Sequence, residues 1–247
     1  MIPISCACVT YGRVSLLEEA LYSFLNQQYL GDRELIIVND YPHQKLLFDH
    51  PMVKIFNFSK TFSTVGEKLN FAVSQCKYNT IAVWDDDDIS MPNHLTNIDK
   101  FFVDGSDLLH WQRGVFFNDG KITSITNLGN AGIVYSKKAW EMVGKHPLEN
   151  AGGDTTFIVK IKGMSKNIVL ASPEDSEVSF FYYWANRSYH MSGLGADVEG
   201  RPNIIERTNI HLENLRKQNK IPTGNIYLKP AWVVDYQKLL YDFLNSN

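Results

Sequence analysis

Cysteine is scarce: the chain of 247 residues holds three, at Cys6, Cys8 and Cys76. An odd, low number argues against a disulfide framework and fits a reducing compartment. Cys6 and Cys8 stand two apart in a strand-like run, so they share one face of it. A zinc site would need two further ligands, and no second pair exists, so both read as small buried thiols. Long apolar runs are also absent. None approaches the roughly 18 residues that a transmembrane helix needs. The opening Met1-Ile2-Pro3-Ile4-Ser5 has neither a basic start nor a cleavage site, so it is not a signal peptide. A soluble, cytoplasmic protein is expected. Lys and Arg form no block, and the net charge is −3. That excludes the broad basic surface that nucleic acids require. A nucleotide ligand stays open, because one cation and a few local charges hold a diphosphate. No internal repeat or low-complexity tract is present.

What remains is ordinary globular material, 44% hydrophobic and 21% charged. It suffices for one α/β domain with a sizeable core. Residues 2–10, 34–39, 52–58 and 80–84 are apolar, β-rich runs. Helical spacing follows Ser15-Leu16-Leu17-Glu18, a capping-box pattern with Ser15 at the N-cap. It recurs over residues 66–76, with Leu69, Ala72, Val73 and Cys76 on one face. Alternating elements with nearly all-apolar strands predict a parallel sheet covered on both faces. Ligands bind such sheets outside the carboxyl ends of the strands. Thr10-Tyr11, Asn39-Asp40 and Asp85-Asp86-Asp87-Asp88 all fall at those ends.

Beyond Pro92 a helix is expected over residues 94–102. Runs at 108–117 and 121–125 flank Asn118-Asp119-Gly120, a hairpin signal. A strand at 131–135 and a helix at 136–144 follow, then a helix near Asp154. Residues 191–202 are Gly-rich and aperiodic, a lid-like loop. Helices are expected at about 204–217 and from Pro230, at N1, to about residue 244. A single domain over 1–247 results, with a nucleotide-binding half at 1–104 and an acceptor-side half at 105–247.

Four consecutive carboxylates after a buried strand repel one another and raise one another's pKa. A divalent cation relieves that. Carboxylate oxygens suit Mg²⁺ or Mn²⁺, which take one or two carboxylates plus ligand phosphates. The alternative is a solvated acidic turn before the next helix.

In order along the chain, four segments resemble the inverting family 2 glycosyltransferases of the GT-A fold. Cys8-Val9-Thr10-Tyr11-Gly12-Arg13 is similar to the first strand and uridine loop. Leu35-Ile36-Ile37-Val38-Asn39-Asp40 is similar to the second strand and its acidic end. Gly66-Glu67-Lys68-Leu69-Asn70 resembles the helix that approaches the diphosphate. Trp84 to Leu95 resembles the DxD segment, with its following Pro92. The resemblance implies a Rossmann-like, mostly parallel central sheet flanked by helices, a smaller mixed sheet on the acceptor side, and C-terminal helices. It implies a UDP-sugar donor, a glycan, lipid or protein hydroxyl as acceptor, and Mn²⁺ or Mg²⁺.

Carried over by position, Thr10, Tyr11 and Arg13 lie by the nucleoside loop, and Asp40 bonds the uracil edge. Asp86 reaches the ribose or the metal shell. Asp87 is the direct metal ligand, and Asp85 is the other member of the DxD pair. The family often has Arg where Leu69 stands, so Lys68 or another cation must meet the diphosphate. Asn39 stands where Asp is common. Glu149 to Phe157 resembles the segment that bears the catalytic base, which makes Asp154 the candidate, although Gly153 replaces the usual Glu. Asp154 is equally a good helix cap. Tyr189-His190-Met191-Ser192-Gly193 is similar to a late segment of relatives and makes His190 a candidate metal ligand. Trp111 and Trp184 are candidates for stacking on sugar rings or for core packing.

Each assignment has a plainer reading: Tyr11 packing on the sheet end, Asp40 starting a turn, Lys68 solvated on its helix. Two other functions compete. Sugar-phosphate nucleotidyltransferases carry a Gly-rich, basic loop after the first strand, whereas residues 10–15 hold one Gly. A non-catalytic nucleotide-sugar-binding relative would tolerate Gly153 and Leu69.

Overall fold

The computed structural model describes residues 1–118, 120–150, 152–184 and 204–246. In chain order the first half contributes β1 (Ile4–Thr10), α1 (Val14–Leu25), β2 (Arg33–Asn39), β3 (Gln44–Leu47), β4 (Val53–Asn57), α2 (Val65–Gln75), β5 (Thr80–Val83), β6 (Ile89–Ser90) and α3 (His94–Phe101). The rest contributes β7 (Leu108–Trp111), β8 (Gly114–Asn118), β9 (Lys121–Thr126), β10 (Val134–Ser136), α4 (Lys137–Met142), α5 (Gly153–Met164), β11 (Ile168–Ala171), β12 (Phe180–Trp184), α6 (Ile204–Lys217), β13 (Gly224–Tyr227) and α7 (Tyr236–Asn245). Asp119, Ala151, His190 and the expected loop at 191–202 lie outside the described residues.

Among the described residues, seven strands form the main sheet in the order β11-β7-β10-β5-β1-β2-β4. β1 runs parallel to β2 and β5, and β10 is antiparallel to its neighbours. The apolar β1 and β2 are buried on both faces, as a covered parallel sheet requires. Cys6 and Cys8 share one face with Leu17, Leu21 and Phe24 of α1. Ala7 faces the other core, with Ala72, Val73 and Phe157. All three thiols are buried, which pushes their pKa values up. Connections from β1 through β2 to β4 run one way across the sheet, and β5 returns to the other side of β1. The crevice at the carboxyl ends of β1 and β5 is therefore the topological switch point, where α/β sheets bind ligands.

A smaller mixed sheet, β6-β12-β8-β9, packs one face on α7 through Phe117, Phe181, Tyr183 and Tyr236. β13 pairs with β3 in a third sheet of two strands. The main sheet draws strands from both sides of residue 104, since β7, β10 and β11 join it.

Several expectations give way. Helix α1 starts at Val14 with Arg13 at its N-cap and no side-chain cap bond, so Ser15 lies inside it. Side-chain capping sits instead on α2: Thr64, its N-cap, accepts from Glu67 N at 3.0 Å, and Glu67 accepts from Ser63 N, just before the cap, at 2.9 Å. The run 108–117 is two strands: β7 enters the main sheet and β8 pairs antiparallel with β9 in the smaller one. The strand expected at 131–135 is Val134–Ser136, and Ser136 caps α4. The last helix starts at Tyr236, capped by Asp235, rather than at Pro230.

Candidate functional site

Three connections converge on the switch-point crevice: the turn after β1, the end of β2 and the acidic run after β5. They carry two charged clusters. In the first, Arg13 bridges two neighbouring aspartates. Its Nη1 donates to Asp87 Oδ2 at 2.7 Å, its Nε donates to Asp86 Oδ2 at 3.1 Å, and Nη2 donates to Asp86 Oδ1. Burial works against the guanidinium charge, but Asp86 and Asp87 together outweigh it and raise its pKa. The Thr10 hydroxyl bonds Asp86 as well.

In the second cluster, Lys68 Nζ donates to Asp40 Oδ1 at 2.5 Å and to the Thr10 carbonyl at 2.8 Å. Asp40 Oδ2 accepts from Phe62 N at 2.9 Å. Both ends are buried, Lys68 at 5% and Asp40 at 2% exposure. Burial lowers the Lys68 pKa, and Asp40 opposes that. Tyr11 lies beside this pair, its ring edge-on to Tyr41 at 5.1 Å. Its hydroxyl donates to Asn209 Oδ1 of α6 at 2.8 Å. The Lys68 and Asp40 side chains thus bind each other, and Tyr11 both packs and reaches α6. Asn39, fully buried, donates to the Gln44 carbonyl and to Asn57 Oδ1, which ties β2 to its neighbours.

The remaining carboxylates keep the strain of crowding. Asp85 is half-buried and has no hydrogen-bond partner among the described residues. Burial, then Asp87 and Asp86, push its pKa up to about 7. Asp88 is buried and also pushed up by burial and by Asp87, against a bond from Tyr183 N at 2.8 Å. No three acidic, His or Cys side chains converge into a closed metal cage among the described residues. A hard divalent cation does not need one, because one or two carboxylates plus diphosphate oxygens complete its shell. Asp85, Asp86 and Asp87 are the carboxylates that would hold such a cation, and two of them are paired with Arg13.

Asp154 lies exposed in the first turn of α5, while Gly152, with φ at 73°, takes the N-cap position. It is near enough to the quartet to raise the Asp85 and Tyr182 pKa values. Asp154 thus adds to the negative field around Asp85 and Tyr182.

Helix α2 uses its first amides inside the protein. Val65 N donates to Asn150 Oδ1 at 3.0 Å and Gly66 N to the Glu149 carbonyl at 3.2 Å. A Cβ on Gly66 would stand 1.8 Å from the Pro147 carbonyl oxygen, so glycine alone permits this approach.

Residues 5–165 match the family Glycosyl transferase family 2. The chain belongs to that family. This family 2 chain is 32% identical over 111 residues to the uncharacterized glycosyltransferase YwdF of Bacillus subtilis (strain 168), a match covering 43% of the chain and 40% of that protein. It superposes on S. aureus TarS 1-349 in complex with UDP-GlcNAc with a TM-score of 0.58 and 16% identity, covering 74% of this chain and 59% of that one. The mannosyltransferase PcManGT of Pyrobaculum calidifontis, in complex with GDP-Man and Mn2+, gives a TM-score of 0.57 and 15% identity, covering 89% and 72%. These likenesses establish the GT-A fold. The chain spans well under two thirds of the YwdF length.

The helix at 204–217 was expected, but its docking over the turn after β1 escaped the sequence. Helix α6 covers the turn after β1, with Leu212 packed against Tyr41 and 3.2 Å from a Cβ on Gly12. Its partners lie some 200 residues earlier, and no local pattern links them. Trp111 is core, bonded through Nε1 to the Gly132 carbonyl at 2.8 Å, while Trp184 is half-buried. No described helix is long and apolar enough to cross a membrane.

Proposed function

We propose that this chain transfers a sugar from a nucleotide-diphospho-sugar, a UDP-sugar first, to a hydroxyl acceptor with inversion at the anomeric carbon. A divalent cation, Mn²⁺ or Mg²⁺, assists. The observation that carries this reading is the crowding of Asp85, Asp86, Asp87 and Asp88 at the switch point, with Asp85 pushed up to about 7. A divalent cation in the crevice would relieve that repulsion, and diphosphate oxygens would complete its shell. Family membership and the nucleotide-sugar complexes of TarS and PcManGT support the reading.

Asp87 would hold the cation, with Asp85 or Asp86 beside it and His190, outside the described residues, as a further ligand. When bound, the cation neutralises the charge that grows on the leaving diphosphate. The other roles belong to the chain. Thr10 and Tyr11 line the nucleoside end, where Lys68 holds Asp40 in place. Asp154 takes the proton of the acceptor hydroxyl as that oxygen attacks the anomeric carbon and the bond to the diphosphate breaks. A carboxylate on the exposed first turn of α5 can meet an acceptor from solvent.

The test is a thermal-shift panel of nucleotides and nucleotide-sugars with and without Mn²⁺, followed by assay of UDP release. Donor binding raises the melting temperature by mass action. A shift for UDP-sugars that grows with Mn²⁺, and UDP release with acceptor, are expected. Release of pyrophosphate, or binding without turnover, would overturn transfer.

A further inference from the structure

We propose that Asn150, with Asn70 behind it, is a positioning residue that sets the reach of Asp154. This rests on Asp154 as the base and names what holds it in place. The start of α2 is the anchor. Such a helix end commonly meets an anion through its free amides. Here the first amides already have partners. Val65 N donates to Asn150 Oδ1, Gly66 N to the Glu149 carbonyl and Glu67 N to Thr64 Oγ1. Two of the three therefore hold residues 149 and 150 and are not open to a diphosphate. One turn on, Asn70 continues the grip, because residues four apart share a helix face. Its Oδ1 accepts from His146 N at 2.8 Å and from Trp140 Nε1 at 2.9 Å, and its Nδ2 donates to the His146 carbonyl at 2.9 Å. Gly66, on the same face, leaves the room that the Pro147 carbonyl fills. Lys68 lies between them in sequence and bonds elsewhere, to Asp40 and the Thr10 carbonyl. One helix thus serves the proposed nucleoside end with Lys68 and holds the approach to α5 with Gly66 and Asn70.

Apolar burial does little to hold the gripped segment. Of residues 146–150, His146 alone is buried, and Leu148 and Glu149 are exposed. Hydrogen bonds to α2 fix its path instead. Asn150 precedes the first turn of α5, which carries Asp154, so the clamp acts on the chain just ahead of the base. Glu149 reinforces the link. It accepts from Thr156 Oγ1 at 3.3 Å, and a Cβ on Gly153 would stand 3.6 Å from the Glu149 Cβ. A general base works only within hydrogen-bond reach of the proton it takes, and a misplacement of about 1 Å can cost roughly 10²-fold. A clamp that ties the start of α5 to the helix bearing Lys68 meets that need.

The test measures UDP release from UDP-glucose and UDP-GlcNAc by the full chain with Mn²⁺, water serving as acceptor, beside hydrogen exchange read by mass spectrometry. Asn150→Ala removes the acceptor of Val65 N and should lower kcat by about 10–10²-fold with donor KM unchanged. Asn150→Asp keeps an oxygen for Val65 N, at a helix start that favours negative charge, and should restore most of the loss. Exchange should quicken over residues 152–157 in Asn150→Ala while β1 and β5 stay protected. In an Asp154→Asn background, Asn150→Ala should lower kcat no further, because both changes act on one group. The positioning role is overturned if Asp154→Asn loses turnover and Asn150→Ala does not, if the two losses multiply, or if exchange over 152–157 is unchanged. Normal turnover by Asp154→Asn, or none by the wild type, would instead overturn the reading of the base and the positioning role with it.

Discussion

Arg13 Nη1 lies 2.7 Å from Asp87 Oδ2, so a residue after β1 neutralises a residue after β5 across the switch point. Without it, the acidic run would keep its full mutual repulsion. Removing one partner of a buried pair costs about 3–5 kcal/mol, and partial exposure reduces that. Arg13 is 19% exposed and Asp86 1%. Arg13→Gln should therefore lower stability in urea by about 2–3 kcal/mol. Mn²⁺ should recover more melting temperature in this variant than in the wild type, because a divalent ion replaces the lost charge. An unchanged urea midpoint would show that the bridge contributes nothing.

Asp154→Asn tests the proposed base. The variant keeps side-chain size and should bind donor with an unaltered thermal shift. Turnover should fall by about 10²–10⁴-fold, the usual contribution of general-base catalysis. Normal turnover would remove Asp154 from the mechanism.

Lys68→Met tests whether the buried pair at the end of β2 is structural. Asp40 would keep its charge with one amide partner, at a cost of about 3 kcal/mol. Adding Asp40→Asn should recover part of that, because a neutral side chain tolerates burial better. The comparison is made by urea denaturation of both variants. A single variant as stable as the wild type would show that water already screens the pair.

Two buried histidines predict acid sensitivity. Burial lowers the pKa of His94 and His146 to about 3. The unfolded chain binds their protons near pH 6.5 and the folded chain does not, so stability is fully present above about 6.5 and falls as pH drops. At about pH 5.5 each histidine should have removed roughly 1.4 kcal/mol relative to neutral pH. Denaturation midpoints across that range check it. His146→Phe should flatten part of the slope; an unaltered slope would exclude His146 as a source.

Much of this fold was legible because its strands announce themselves locally. The runs around Leu35-Ile36-Ile37-Val38 and Ile81-Ala82-Val83 are apolar throughout, and only a doubly covered strand tolerates that. The acidic quartet was legible for the opposite reason, since consecutive carboxylates beside a buried strand demand compensating positive charge, which Arg13 supplies to two of them. The partition of residues 108–117 between two sheets was not legible. Both pieces are β-rich, and pairing partners are chosen by distant strands. The start of α1 was misplaced because Ser15-Leu16-Leu17-Glu18 has capping chemistry, while the turn at Gly12, with φ at 73°, starts the helix earlier.

Chain order and residue chemistry alone determined a covered parallel sheet, an acidic crevice at its carboxyl edge and the residues that crowd it. Tertiary packing decided which charges meet. Lys68 went to Asp40 rather than to solvent, Arg13 went to Asp86 and Asp87, and α6 came to rest on Tyr11 and Tyr41. The reason is reach: periodicity and capping act over a few residues, whereas ion pairs form between whichever opposite charges folding buries side by side.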